Sequence, residues 1–268
     1  MTLRALITND DGIESEGLRQ LARMVRDAGL EVVVAAPRDE SSGSSASLTA
    51  VQADGRVLVE ERMLGHELAG VPAYAVAATP GFIALIASRG AFGRCPDVVL
   101  SGINRGANTG HAILHSGTVG ASLTARLQGC RALAVSLDAS APNNWETAAE
   151  VARDALGHLL ASDAPLVLNV NVPDLPVRAL RGLRRARLSS FGAVQTTITE
   201  VAHGYVRVAV ADLDAEREPG TDATMLAAGF ATVTALEPIC ERHAELPGIP
   251  HAGRGDVSDP ADAPTTTA

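Results

Sequence analysis

Short apolar runs separated by stretches of helical period recur to about residue 173, and this alternation restricts the fold more than anything else in the chain. The runs are LRALI (3–7), LEVVVAA (30–36), DVVLSG (97–102), ALAVSL (132–137) and PLVLNVNVP (165–173). Between the first two, Leu18, Leu21, Ala22 and Val25 recur at helical spacing and Gly29 is a suitable stop. Further helices are expected over 80–89, from about Thr118 to Leu127, and over 144–160. Strands that alternate with helices need right-handed crossovers, which cover both faces of a parallel sheet. The expected class is therefore α/β, a three-layer sandwich around a mostly parallel sheet.

After Pro176 the texture changes. The run AVQTTITEVAHGYVRVAVADL (193–213) is rich in β-branched residues and lacks helical period, which suggests an extended β-hairpin or arm of the kind used in oligomerisation. From about Arg242 a Pro, Gly, Asp and Thr-rich tail shows no apolar periodicity and is expected to be disordered. The expected division is a core over 1–176, an arm and return segment over 177–240, and a tail over 241–268.

Composition then removes whole classes of chemistry. All 22 basic residues are Arg, so a P-loop lysine, a Schiff-base lysine and pyridoxal phosphate chemistry are excluded. A net charge of -9 argues against a general nucleic-acid or anionic-membrane surface. Cys95, Cys130 and Cys240 are odd in number and widely spaced, which suggests free thiols rather than a disulfide framework or zinc knuckle. No run reaches the roughly 18 apolar residues of a membrane span. The opening MTLRALITND lacks a leader pattern, so a cytoplasmic setting is expected.

Three polar clusters follow apolar runs: TNDDG after the first, PRDESSGSSAS after the second and SGINRGANTG after DVVL. Carboxyl ends of parallel strands are where open α/β sheets bind ligands, so the three loops can form one site. The plainer account of Asp10 and Asp11 is a helix cap beside a solvated carboxylate. Alternatively, with neutral oxygens from Ser42 and Asn104, they compose an all-oxygen set suited to Mg²⁺ or Mn²⁺. The segment SSGSSASLT (41–49) reads either as linker or as binding loop, and HSGTVGAS (115–122) either as a turn or as a helix entry whose amides suit an anion. Asn104 and Asn108 offer a ligand oxygen and a phosphate donor, respectively. His111 and His115 stay open as proton carriers, and RALRGLRRARL (178–188) is most simply a solvated face or a partner contact.

In ITNDDGIESEGLRQLA, VVVAAPRDESSGSSASLT, PDVVLSGINRGANTG, HSGTVGASL, ALAVSLD, LNVNVPDLP and EPGTDATMLAAGFATVTALEP the chain resembles the SurE family of metal-dependent nucleotide phosphatases. The resemblance implies a Rossmann-like α/β core, an arm exchanged between protomers of a homodimer or homotetramer, and one divalent ion, Mg²⁺ or Mn²⁺, held by Asp10, Asp11, Ser42 and Asn104. It further implies a phosphate surrounded by Asn108, Ser116, Gly117 and Thr118. Three positions depart from the family pattern: Phe82 and Thr124 where acidic residues are usual, and His115 where Tyr is usual.

The expected activity is hydrolysis of nucleoside monophosphates, 5′ and also 3′, by Asp10, Asp11 and Asn108, with loop amides taking up the developing charge. An aspartyl-phosphate route through Asp10 would need a DxD spacing and a lysine, neither of which the motif supplies. The rival reading, motivated by Phe82, His115 and Thr124, is a nucleotide- or metal-binding regulator without turnover; a scaffold using only the arm is a third.

Overall fold

A computed structural model describes residues 2–50, 52–53, 55–190, 195–202, 205–211 and 218–240. The expected tail over 241–268 lies outside the described residues. Strand β1 (Arg4–Thr8) leads to α1 (Glu16–Asp27) and β2 (Glu31–Pro37). Two minor pieces, β3 (Gln52–Ala53) and β4 (Arg56–Val57), pair with each other, and β5 (Val59–Glu61) and β6 (Ala73–Val76) then return to the main sheet. Next come α2 (Pro80–Ala87), β7 (Val98–Arg105), α3 (Gly117–Leu127), β8 (Arg131–Asp138), α4 (Trp145–Ala161) and β9 (Val167–Pro173). The chain continues through β10 (Leu183–Arg185), β11 (Gln195–Ala202), β12 (Tyr205–Ala211), α5 (Asp222–Ala227) and β13 (Ala231–Leu236).

The nine-stranded sheet runs β10-β13-β9-β8-β7-β1-β2-β6-β5. Its centre, from β9 to β6, is parallel throughout, while β5 on β6 and β13 on β9 are antiparallel. Side chains alternate across a strand, and here the alternation divides the core in two. Ile7, Val34, Leu100 and Leu133 pack with Leu18, Leu21 and Val25 of α1 and Leu156 and Leu159 of α4. Leu6, Val33, Val99 and Ala132 pack on the other side with Ile83 and Ala84 of α2 and Ala121 and Ala125 of α3. Helix, sheet and helix thus form the three layers read from the alternation; α1 to α4 follow the expected spans closely, while α5 was not expected. The antiparallel edges were not legible: β5, Val59–Glu61, is three residues long and too short for alternation to declare itself. The hairpin expected over 193–213 is present as β11 and β12, paired antiparallel in a separate two-stranded sheet. Among the described residues no helix is long and apolar enough to cross a membrane.

Two local features set up the site. Ser15 caps α1 by accepting from Leu18 N at 3.4 Å, and its hydroxyl also accepts Asn9 Nδ2 at 2.6 Å, fixing the turn that carries Asp10 and Asp11. The pairing of β7 with β8 shifts register between Ser101 and Asn104, a bulge that re-aims the residues after it.

Candidate metal and phosphate site

The loop after β1, the loop after β2, the end of β7 and the first turn of α3 meet at the carboxyl edge of the parallel strands. Asp10 is only 4% exposed. Its Oδ1 accepts Thr118 Oγ1 at 2.6 Å, its Oδ2 accepts Thr118 N at 3.2 Å, and its main-chain oxygen accepts Ser41 N at 2.8 Å. The carboxylate therefore sits on the N-terminal turn of α3, where the exposed N–H groups favour negative charge. Gly117 makes that approach possible, since a Cβ there would lie 2.7 Å from Asp10 Oδ2 and 2.6 Å from Ser44 Oγ.

Asp11 is half-buried, and its Oδ2 accepts the main-chain N of Arg105 at 3.1 Å, next to Asn104. Burial first, and then the charge of Asp10, push the Asp11 carboxyl up to about 6, against the opposing pull of Arg105. Burial likewise raises Asp10, opposed by its bonds to Thr118. The Arg105 guanidinium lies 3.7 Å from Glu40 instead, and among the described residues no side-chain cation pairs with either aspartate. Two adjacent carboxylates whose ionised forms are both disfavoured, with no side-chain ion pair among the described residues and only the more distant Arg105 charge opposing, fit a hard divalent ion bound through oxygen.

The neutral oxygens stand as follows. Asn104 Nδ2 donates to Gly106 O at 2.8 Å, which leaves its carbonyl oxygen as the atom for a cation. Ser42 is exposed, and its hydroxyl donates to Glu40 Oε1 at 2.8 Å; the neighbouring Ser41 N ties its loop to Asp10.

On the anion side, Ser116 caps α3 by accepting Val119 N at 3.1 Å, and its own hydroxyl hydrogen remains to be donated. Thr118, expected to face a phosphate, gives both its main-chain and side-chain donors to Asp10. Asn108 Nδ2 donates to Ser136 Oγ at 2.8 Å, which uses one of its two amide hydrogens. Its main chain is gripped from β9: Asn108 N donates to Asn171 Oδ1 at 2.7 Å, and its carbonyl accepts from Nδ2 of Asn169 and of Asn171, each at 2.9 Å. Ser136, Asn169 and Asn171 escaped the sequence reading, although the Asn-Val-Asn alternation in LNVNVP placed two amides on one strand face. His111 and His115 are both exposed in a short 3-10 segment, Gly110–His115. Of the departures, Phe82 is half-buried on α2, and Thr124 is buried with its hydroxyl donating to Gly120 O at 2.8 Å inside α3.

A family model described as Survival protein SurE matches residues 5–194. The 5'-nucleotidase SurE of Stenotrophomonas maltophilia (strain R551-3) is 34% identical over 251 residues, covering 91% of this chain and 93% of that protein. The 5'/3'-nucleotidase SurE of Edwardsiella ictaluri (strain 93-146) is 36% identical over 242 residues, covering 88% and 90%. The crystal structure of SurE from Aquifex aeolicus superposes with a TM-score of 0.74 at 27% identity, over 89% of this chain and 94% of that one.

Proposed function

This chain belongs to the SurE family, and from that premise we propose that it is a phosphoric monoester hydrolase, a metal-dependent phosphatase that converts nucleoside monophosphates to nucleoside and phosphate. Its substrates are 5′-nucleotides, with 3′-nucleotides as a second class. The observation that carries the reading is the pair Asp10 and Asp11, adjacent, one buried and one half-buried, and without a side-chain ion pair among the described residues, beside the first turn of α3. The names of the two nucleotidases from Stenotrophomonas maltophilia and Edwardsiella ictaluri support the substrate class.

Asp10, Asp11, Ser42 and Asn104 would hold one Mg²⁺ or Mn²⁺ per subunit, which supplies Lewis acidity toward a phosphoryl oxygen. The chain's own groups do the rest. Thr118 fixes Asp10, so that one carboxylate is held rigid. Thr118 occupies both carboxylate oxygens of Asp10, which leaves the half-buried Asp11 to accept the proton of the attacking water at a carboxylate oxygen. Ser116, Gly117 and Asn108 line the phosphate position, with Ser116 and Asn108 donating to oxygens on which charge grows in the transition state, while Thr118, expected there too, is spent on Asp10. The hairpin of β11 and β12 joins copies into a homodimer or homotetramer.

The test is phosphate release from a panel of 5′- and 3′-nucleoside monophosphates, metal-free in EDTA and with added Mg²⁺ or Mn²⁺. Release that requires the metal is the expected result. A folded, Mn²⁺-binding protein that releases nothing across the panel would sink the enzyme and leave the regulator reading.

A further inference from the structure

The loop that carries Asn108 is held from behind by four fully buried polar side chains: Ser136 on β8, Asn169 and Asn171 on β9, and Asp222 at the start of α5. The first three bind Asn108 itself, and Asp222 binds two residues further on. Its Oδ2 accepts Gly110 N at 2.8 Å, while Oδ1 accepts Ser189 N at 2.9 Å and Ala223 N at 2.8 Å. Among the described residues Asp222 makes no ion pair, so in that set its charge is answered by main-chain N–H groups of three separate segments. Burying a carboxylate and two amides is costly compared with an apolar wall, and here hydrogen bonds offset the cost at both Asp222 oxygens, at both ends of the Asn171 amide and at Asn169 Nδ2, while Asn169 Oδ1 has no hydrogen-bond partner among the described residues. Those bonds fix the path of Asn108–Gly110. No clamp side chain bonds to Asp10, Asp11, Ser42 or Asn104 among the described residues.

We infer that Asp222, with Asn171, is a positioning residue for the substrate phosphate: it locks the Asn108–Gly110 loop against the sheet and so sets the Asn108 amide, without touching the metal ligands. The inference rests on the reading of Asn108 as a phosphate donor. Asp222 also holds Ser189, close to where the chain leaves for the hairpin, so one buried carboxylate anchors both the phosphate loop and the root of the arm.

The decisive variant is Asp222→Asn in the full chain. It preserves shape but leaves one oxygen acceptor where a carboxylate has two, so a bond to Gly110 or Ser189 is lost. Four quantities are read: amide exchange at Gly110, Mn²⁺ affinity by calorimetry, inorganic phosphate affinity of the Mn²⁺-loaded protein, and kcat with KM. The expected result is exchange at Gly110 faster by about tenfold or more, with phosphate affinity and kcat/KM down by a similar factor and Mn²⁺ affinity unchanged. Unchanged phosphate affinity in a folded variant would overturn the inference, as would Mn²⁺ and phosphate affinities falling together with the melting temperature. If Asp222→Asn fails to fold, Asn171→Asp decides. It keeps the acceptor for Asn108 N and loses the donor to Asn108 O, so a selective loss of phosphate affinity supports the clamp and none overturns it. Wild-type protein that neither binds nor releases phosphate would count against the phosphatase reading itself; wild-type activity with indifferent variants counts against the clamp alone.

Discussion

Asp11 is held at the site against its own electrostatic preference. With its carboxyl pushed up to about 6 from 3.8, the folded chain binds its proton more tightly than the unfolded chain does. In metal-free protein the stability this group contributes is therefore fully present below about pH 3.8 and is lost as pH rises through about 6. Asp11→Asn removes the liability. Metal-free Asp11→Asn should melt close to wild type at pH 4 and above it at pH 7, while losing Mn²⁺ binding and phosphate release; parallel melting curves across that window would refute the assignment. Gly117→Ala tests the other carboxylate. Its methyl would lie 2.7 Å from Asp10 Oδ2 and 2.9 Å from Asp10 Cβ, so Asp10 must shift, although alanine favours the helix by about 1 kcal/mol. Calorimetry should show Mn²⁺ affinity down by about tenfold or more with little change in the urea midpoint.

At the scale of elements, the site depends on how closely α1 lies on β7. A Cβ at Gly17 would lie 2.0 Å from Ile103 O and 2.9 Å from Trp145 Cζ3, so even a methyl would force the helix off the strand. Overpacking of this kind costs roughly 1–3 kcal/mol or more, exceeding the roughly 1 kcal/mol of helix propensity that alanine brings. Urea unfolding of Gly17→Ala should show a net loss of stability. Because α1 begins directly after the loop of Asp10 and Asp11 and presses on the strand that ends at Asn104 and Arg105, Mn²⁺ affinity should fall as well. A more stable variant would mean that the helix yields freely. The other tie between elements is Thr118 on Asp10, which joins the first loop to α3 across 108 residues.

For the whole molecule the question is assembly. The hairpin of β11 and β12 forms a sheet of its own, and a lone two-stranded ribbon is marginal in water, so its stability is expected to come from a second copy of the chain. Light scattering should give a mass that is a multiple of 27.6 kDa. Replacing 195–211 by a Gly-Ser linker should yield a monomer that still binds Mn²⁺, because the proposed metal ligands all lie between Asp10 and Asn104 on the sheet edge. A monomeric wild type, or a linker variant that stays oligomeric, would remove the arm from assembly.

What the sequence determined by itself is local or periodic. Continuous apolar runs alternating with stretches of period 3.6 announced the layers, because a strand buried on both faces and a helix buried on one write themselves along the chain. Asp10 and Asp11 were legible because both lie in one turn after a strand, and Asn104 because it ends another. Tertiary structure alone decided which donors those groups keep. Thr118 looked free for an anion until the fold laid Asp10 across it, and the Ser42 hydroxyl is turned to Glu40. The clamp of Asn169, Asn171 and Asp222 was likewise hidden, because these hydrogen bonds close over 61 to 112 residues and the pairing of a buried side chain with a distant main-chain N–H or C=O leaves no spacing to read.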